Sequence, residues 1–511
     1  MEASFDCVVI GSGNAGSCAA LSAAETGCDK VLIVDICPPE WAGGNSYFTA
    51  GAFRTVHSGL QDLLPIVNNV SAEQVASIDM DKYTCEDFQG DIMRLGDGKP
   101  DPDLAGAVAD ASRDTITWLA DSVGLPFMLS FHRQAYAVGG RQRFWGGMVL
   151  CTEDGGKGLI AAHQRALAKG KVDVWFNCRA VEITMENGAV SGLIVEKDGH
   201  KMSLRTPAVV LAAGGFEANP LLRAEHLGGE WERAIVRGTP YNQGGGFALA
   251  AALGARQTGD WAGCHSTCWD ADAPTDAGQR DLTNQFTKSG YPLGIMVNTA
   301  GKRFVDEGED YRNYTYAKFG RAILMQPEGH IFQIYDQKVI GSLRQEEYGD
   351  GIVRKIFADS IEELADKLVD SGLKSKQEFV ETVRQFNDAV RNYQAEHPDA
   401  TWNPAIKDGM STQSSEKQLA LPKTNWALTI DKAPLMAVKV ACGVTFTFGG
   451  LAIDPETAGV LSEKTSTVIP GLFCAGEMVG LFHKNYPGGS GLMAGAVFGR
   501  RAGRAAAALK Y

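Results

Sequence analysis

The sequence predicts an α/β fold in which one sheet domain is interrupted by an inserted α+β domain. Three observations predict it. An apolar run, residues 5–10, leads into Gly11-x-Gly13-x-x-Gly16 and a small-residue segment, 15–26, and a second apolar run, 31–34, closes on Asp35. From about residue 259 the character changes to polar and aromatic loops, two amphipathic helical patterns and a long irregular stretch. From about residue 442, short glycine-bounded apolar runs return. Residues 1–258 and 442–511 therefore read as the two parts of one domain, with 259–441 as the insert.

In the opening unit, strand, glycine turn, helix and second strand make a Rossmann-like start. Gly11 allows the tight turn, Gly13 lets backbone approach a diphosphate, and Gly16 lets helix lie close on strand, with Ser12, Asn14 and Ala15 between them. Free N–H groups and the helix dipole favour the diphosphate at that helix start. Asp35, 19 residues beyond Gly16, is placed to accept hydrogen bonds from a ribose hydroxyl. These residues predict a dinucleotide and leave NAD and FAD both open.

The loop 42–52, with Gly44, Asn45, Ser46, Ala50 and Gly51, is small and polar, suited to close approach of backbone to a flat ligand. Residues 73–80 and 102–123 read as helices by three- and four-residue apolar spacing, and 159–169 as another. Short strands follow at 172–177, 180–186 (which holds Val181), 189–196 and 201–204, with Asn187-Gly188 as a hairpin turn. Residues 208–215 form a buried strand ending in small residues, Ala213 and Gly214 among them. In the insert, 295–298 reads as a strand, 361–369 and 376–396 as helices, and 397–423 as irregular. Runs 438–442, 449–453 and 471–477 are strand-like, and 491–509 is a small-residue helix.

With 511 residues the chain is long enough for two or three domains. Its net charge of −13 argues against nucleic acid or anionic lipid as a partner, so an anionic substrate needs a local cluster of Arg or His. No apolar run reaches 18 residues, the start carries acids rather than a secretory signal, and the 11 cysteines are scattered without a Cys-x-x-Cys pair. The expectation is a reduced cytoplasmic protein with neither metal nor iron–sulfur cluster. Cys264 and Cys268 flank His265 but lack a fourth ligand nearby.

Four segments together carry a family resemblance. They are the glycine fingerprint, Gly43-Gly44-Asn45-Ser46, Gly301-Lys302-Arg303-Phe304-Val305-Asp306-Glu307, and Gly471-Leu472-Phe473-Cys474-Ala475-Gly476-Glu477 followed by Pro487-Gly488-Gly489-Ser490-Gly491. The sequence resembles the FAD-dependent flavoprotein subunits of fumarate reductase and succinate dehydrogenase. Through Arg312-Asn313-Tyr314-Thr315-Tyr316 and Gly443-Val444-Thr445-Phe446-Thr447-Phe448 it is most similar to tricarballylate dehydrogenases. The resemblance implies FAD, held between the main domain and a clamp (capping) domain by the fingerprint, Asp35, the Gly44–Gly51 loop, Val181, Ala213 and Gly214. It places Glu477 at the ribityl chain and Ser490, Gly491 and Leu492, at a helix start, on the flavin edge. No histidine stands in the Gly43–Gly51 region, so the FAD is expected to be non-covalent.

The family interconverts a saturated acid and its α,β-unsaturated partner, which needs cations on the carboxylates and an acid–base group on the substrate face opposite the flavin. By resemblance Arg312 is the proton-transferring residue, with Tyr314 or Tyr316 as rival, and His265 binds substrate. Two positions depart from fumarate reductase: Phe446 replaces a histidine and Tyr486 an arginine. A tyrosine at 486 resembles ketosteroid dehydrogenases, where it polarises a ketone. The family's Glu–Arg proton relay is not recognisable near 286–289, and Arg141 and Arg143 are further carboxylate ligands or surface charge. The first reading is a dehydrogenase oxidising a tricarballylate-like acid to a cis-aconitate-like alkene. The alternatives are desaturation of a ketone or secondary metabolite through Tyr486, or a flavin electron-transfer module of a larger complex. The acceptor is a quinone, a separate electron-transfer protein or oxygen.

Overall fold

The computed structural model describes residues 3–509, apart from the side chains of His132 and Arg133. The main sheet has six strands, in the order Asp173–Trp175, Val31–Val34, Cys7–Ile10, Val209–Leu211, Val468–Cys474 and Gly459–Leu461. The first five run parallel and the last is antiparallel. In register, Val9 faces Ile33 on one side and Val210 on the other, and all are fully buried. A parallel sheet covered on both faces needs such unbroken apolar strands. The helices Asn14–Thr26 and Ser490–Ala507 cross closely on it. A Cβ at Gly499 would sit 2.5 Å from the Ala15 carbonyl oxygen, and one at Gly503 would sit 2.3 Å from that of Ala19. Only glycine permits that contact.

The clamp is built on one long strand, Leu435–Leu451. It pairs with Ile235–Val236, Gln257–Asp270, His330–Tyr335 and Lys355–Ala358 along its length. The sequence reads it as two runs, 438–442 and 449–453, because Gly443 and Gly449-Gly450 interrupt the apolar text. Those glycines sit under indole rings: a Cβ at Gly443 would lie 2.7 Å from Trp269, and one at Gly449 would lie 2.4 Å from Trp261. The divisions at 258/259 and 441/442 fall inside this strand and its partner, so a continuous two-stranded ribbon runs across both. One face of the clamp sheet buries Val297, Phe332 and Ile334 under helices Ile361–Val369 and Lys376–Glu396. The other buries Met296, Ile331 and Val440 against Phe319 and Ile323.

One helical expectation is corrected and one holds with a change of winding at its end. Residues 73–80 form only a four-residue helix, Ala72–Val75, capped by Ser71 and Gln74, and then a strand, Ile78–Met80, beside Arg141–Phe144. Alternation of Ile78 and Met80 with polar residues is a strand period and prevails over the helix spacing. The segment 102–123 is helical as Pro102–Trp118 and finishes in a wider turn, Leu119–Val123, closed by Gly124 at φ +74°. The hairpin at Asn187-Gly188 forms as expected, both residues having positive φ.

Candidate active site

A cavity of about 640 Å³ runs from the glycine fingerprint to the start of the final helix. Gly11, Ser12, Gly13, Asn14 and Ala15 line one end, and Asp35 stands beside them. Gly44, Asn45, Ser46, Val181, Ala213, Gly214 and Glu477 line its middle. Gly491 and Leu492 reach it from the final helix, next to His265, Tyr316, Phe446 and Tyr486. The remaining expected cofactor positions lie behind this wall. A Cβ at Gly16 would stand 2.0 Å from the Gly11 carbonyl oxygen, one at Gly51 would stand 2.0 Å from Thr152 Oγ1, and Ser490 is fully buried in the first helical turn. Ala50 lines a neighbouring cavity.

Side chains lock the backbone at the diphosphate end. Asp35 Oδ2 accepts from Ser12 N–H at 2.8 Å and Ser12 Oγ at 2.6 Å, so the acid braces the turn as well as lining the cavity. Asn14 Nδ2 donates to Leu492 O at 2.9 Å and its Oδ1 meets His163 Nε2 at 3.0 Å, which ties the first helix start to the last. Asn45 Nδ2 donates to Thr445 O at 2.8 Å and to Glu217, and its Oδ1 accepts from Thr239 N–H at 2.8 Å. At Gly44 and Gly245, both lining the cavity, the space a Cβ would take is open. A long cavity with backbone facing it, a helix start at each end and Asp35 near the fingerprint fits an extended dinucleotide.

At the far end a second cavity, about 80 Å³, adjoins Gly491 and Leu492. Arg237, Arg312 and Arg344 line it together with Asn284, Ser289, Tyr316 and Tyr486. Arg237 donates to Asn284 Oδ1 and lies 5.5 Å from the Trp269 ring centre. Arg344 meets Glu347 at 3.0 Å, and Glu347 also accepts from Ser289 N–H at 2.9 Å and Ser289 Oγ at 2.6 Å. Near Arg312 in sequence, Glu309 pairs with Lys318, and Asp310 with Arg94 and Lys407.

His265 projects from the strand Gln257–Asp270 opposite Phe446 and is 2 % exposed. Its ring centre is 4.8 Å from that of Tyr316 and 5.2 Å from that of Tyr486. Burial, reinforced by the Arg237 charge, drives its pKa well down, so this imidazole is neutral. Tyr316 Oη and Tyr486 Oη are 2.8 Å apart, and burial pushes the Tyr486 phenol well up. Tyr314 points elsewhere, donating to Asp91 at 2.8 Å beside the buried Arg54. Of the two tyrosines that rival Arg312, Tyr316 lines these two cavities and Tyr314 lines neither. Arg141 and Arg143 form exposed ion pairs with Asp79 and Asp81 and line neither cavity.

Sequence reasoning missed Arg237, Arg344 and Arg54. Arg237 left a trace, a charge closing the apolar run Ile235-Val236 before Gly238. Arg344 lies in polar text that carries no signal. Arg54 donates to Gly488 O at 2.8 Å and its N–H to Gly489 O at 3.2 Å, so it pins the turn that launches the final helix.

The family profile described as FAD binding domain matches residues 6–492. The chain belongs to that family. As a member it is an FAD-dependent oxidoreductase of the fumarate reductase flavoprotein type. It is 28% identical over 506 residues to a probable fumarate reductase, Ifc3, of Shewanella frigidimarina, covering 98% of this chain and 74% of that one. It is 29% identical over 374 residues to a 4-oxocyclohex-2-ene-1-carboxylate 5-dehydrogenase of Sinomonas cyclohexanicum, covering 69% of this chain and 60% of that one. Among solved structures of the family, the open conformation of a flavocytochrome c3 fumarate reductase superposes with a TM-score of 0.71 at 26% identity. That match covers 99% of this chain and 78% of the other.

Proposed function

We propose that the protein desaturates a polycarboxylic acid, tricarballylate-like, to a cis-aconitate-like alkene. The observation that carries this reading is the convergence of Arg237, Arg312 and Arg344 on one small cavity beside the final helix start. In a chain of net charge −13, guanidinium groups gathered here make a local cation site against the global field, partly offset by Glu347 on Arg344. Their planar forks match carboxylates. Bound FAD supplies the acceptor for the hydride leaving carbon. Arg237 and Arg344 hold substrate carboxylates, and one of these acidifies the neighbouring C–H. Arg312 is the group placed to take that proton. It does so only as a neutral guanidine that has first passed its own proton on, a state that ordinary arginine chemistry opposes and that requires rigid holding in a dry site. Phe446, Tyr486 and the neutral His265 close the site against water. The electrons then leave to a separate electron-transfer protein or a quinone.

A second reading rests on the Tyr316–Tyr486 hydrogen bond. A phenol pair beside Gly491 suits polarisation of a ketone, and the Sinomonas relative is named for a substrate carrying both a ketone and a carboxylate. Anaerobic mixing of the holoenzyme with tricarboxylates, dicarboxylates and cyclic ketones, following flavin absorbance, separates the two. Bleaching by a tricarboxylate is expected. Bleaching by ketones alone overturns the first reading.

A further inference from the structure

Beside the middle of the cofactor cavity two glutamates meet with no cation between them. Glu217 is fully buried, and Glu477 lines the cavity at the turn that follows strand Val468–Cys474. Glu217 Oε2 and Glu477 Oε1 converge on one point beside Gly215. A Cβ on Gly215 would lie 2.1 Å from Glu477 Oε1 and 2.8 Å from Glu217 Oε2, so a glycine is required for both side chains to reach this point. Both carboxyl groups accept further hydrogen bonds. Glu217 Oε1 accepts from Asn242 Nδ2 at 2.6 Å and from Asn45, while Glu477 Oε1 accepts from Thr447 N–H at 2.7 Å and Thr447 Oγ1 at 3.0 Å. Glu217 Oε2 is buried with no protein donor.

Ionised carboxylates are acceptors only, so two of them in contact can bond to each other only through a proton. Among the described residues the charged group facing the pair is Arg223. Its guanidinium bonds the carbonyl oxygens of Glu217, Trp231 and Glu232 rather than either carboxylate. Asn45, Asn242 and Thr447 face the pair from the remaining elements and are neutral.

We propose that Glu217 and Glu477 share one proton at neutral pH and that FAD binds to this singly protonated pair. The geometry assigns the proton to the contact with Glu217 Oε2, donated from Glu477, with Glu217 as the anion held by two amides. Burial raises both groups, Glu477 the more strongly because the Glu217 charge adds to it. Glu217 is thus a positioning residue: it keeps Glu477 protonated and fixes the face that Glu477 turns to the cofactor. The proton also limits the charge near an anionic diphosphate, since Asp35 lines the same cavity. Because the pair holds its proton above the ordinary carboxylate range, FAD affinity is full at neutral pH and is lost as pH rises through the raised value.

Infrared spectra of the holoenzyme at about pH 8 test the first half, because ordinary carboxylates are ionised there. A carboxylic-acid C=O absorption is expected in the wild type and absent in both Glu217→Gln and Glu477→Gln. Its absence from the wild type overturns the proposal, even should a variant not fold. Persistence in either variant also overturns it, because the proton then belongs to one residue alone or to another acid. FAD titration tests the second half. Wild-type Kd should rise about tenfold per pH unit once the pair loses its proton, and that of Glu217→Gln should stay within about threefold. A parallel rise in both overturns the link to the cofactor.

Discussion

The two ends of the cofactor cavity are made of different material. Around the fingerprint the wall is backbone, turned inward at glycines and braced by short side chains such as Ser12, Asn14 and Asp35. Beyond Gly491 it is largely side chains: Arg237, His265, Arg312, Tyr316, Arg344 and Tyr486, drawn from separate segments of the chain. A ligand gripped by backbone is fixed by the path of the chain and changes only with the fold. A ligand gripped by side chains is exchanged by substitution at single positions over an unchanged frame. The backbone end is therefore the one that changes least by single substitutions, and the side-chain end, the proposed substrate site, the one that changes most.

Substitutions at the two ends should part company in what they alter. Arg312→Lys keeps a positive charge but loses the planar fork, and flavin reduction should slow at least about 10²-fold, the low end for a positioned acid–base group. Single-turnover anaerobic reduction is the measurement, since a slow acceptor cannot mask the chemical step. Asp35→Ala strikes the other end. It removes the acceptor of two Ser12 bonds and should weaken FAD binding by roughly 1.5–3 kcal/mol without changing which substrate bleaches the flavin. FAD titration against the apoprotein reads the affinity, and a changed substrate order would show that the ends are not separable. Tyr486→Phe should slow reduction only about tenfold, the scale of one hydrogen bond. A severe Tyr486→Phe with a mild Arg312→Lys would reverse the ranking and favour the ketone reading. Tyr314→Phe, outside both cavities, should leave the reduction rate within about twofold, while thermal unfolding registers the lost bond to Asp91.

The same contrast decides what could be read from the sequence. Strand–turn–helix spacing is a local property, so the fingerprint, Asp35, the Gly44 loop and the final helix start were legible where the structure has them. Helices Ile361–Val369 and Lys376–Glu396 were legible for the same reason, their apolar period being intact. Arg237 and Arg344 were not, because their meaning comes from meeting Arg312 across the clamp and nothing local marks them. The strand Leu435–Leu451 was split because its glycines, chosen by the indoles of Trp261 and Trp269, look like turns when read alone. Glu217 was likewise invisible. It is one acid in Gly214-Gly215-Phe216-Glu217 until Glu477 arrives from 260 positions further on.

The crossing of helices Asn14–Thr26 and Ser490–Ala507 has a consequence during synthesis. The surface that covers the fingerprint helix, at Gly499 and Gly503, is made only after the several hundred residues between Thr26 and Ser490. At roughly 5–20 residues per second, the nascent helix waits on the order of half a minute or longer for its partner. Through that interval its alanine-rich face and the edge of strand Val209–Leu211 that will receive Val468–Cys474 stay open to chaperones and to neighbouring chains. FAD capture thus waits until the final-helix start, whose Gly491 and Leu492 line the cofactor cavity, has been made.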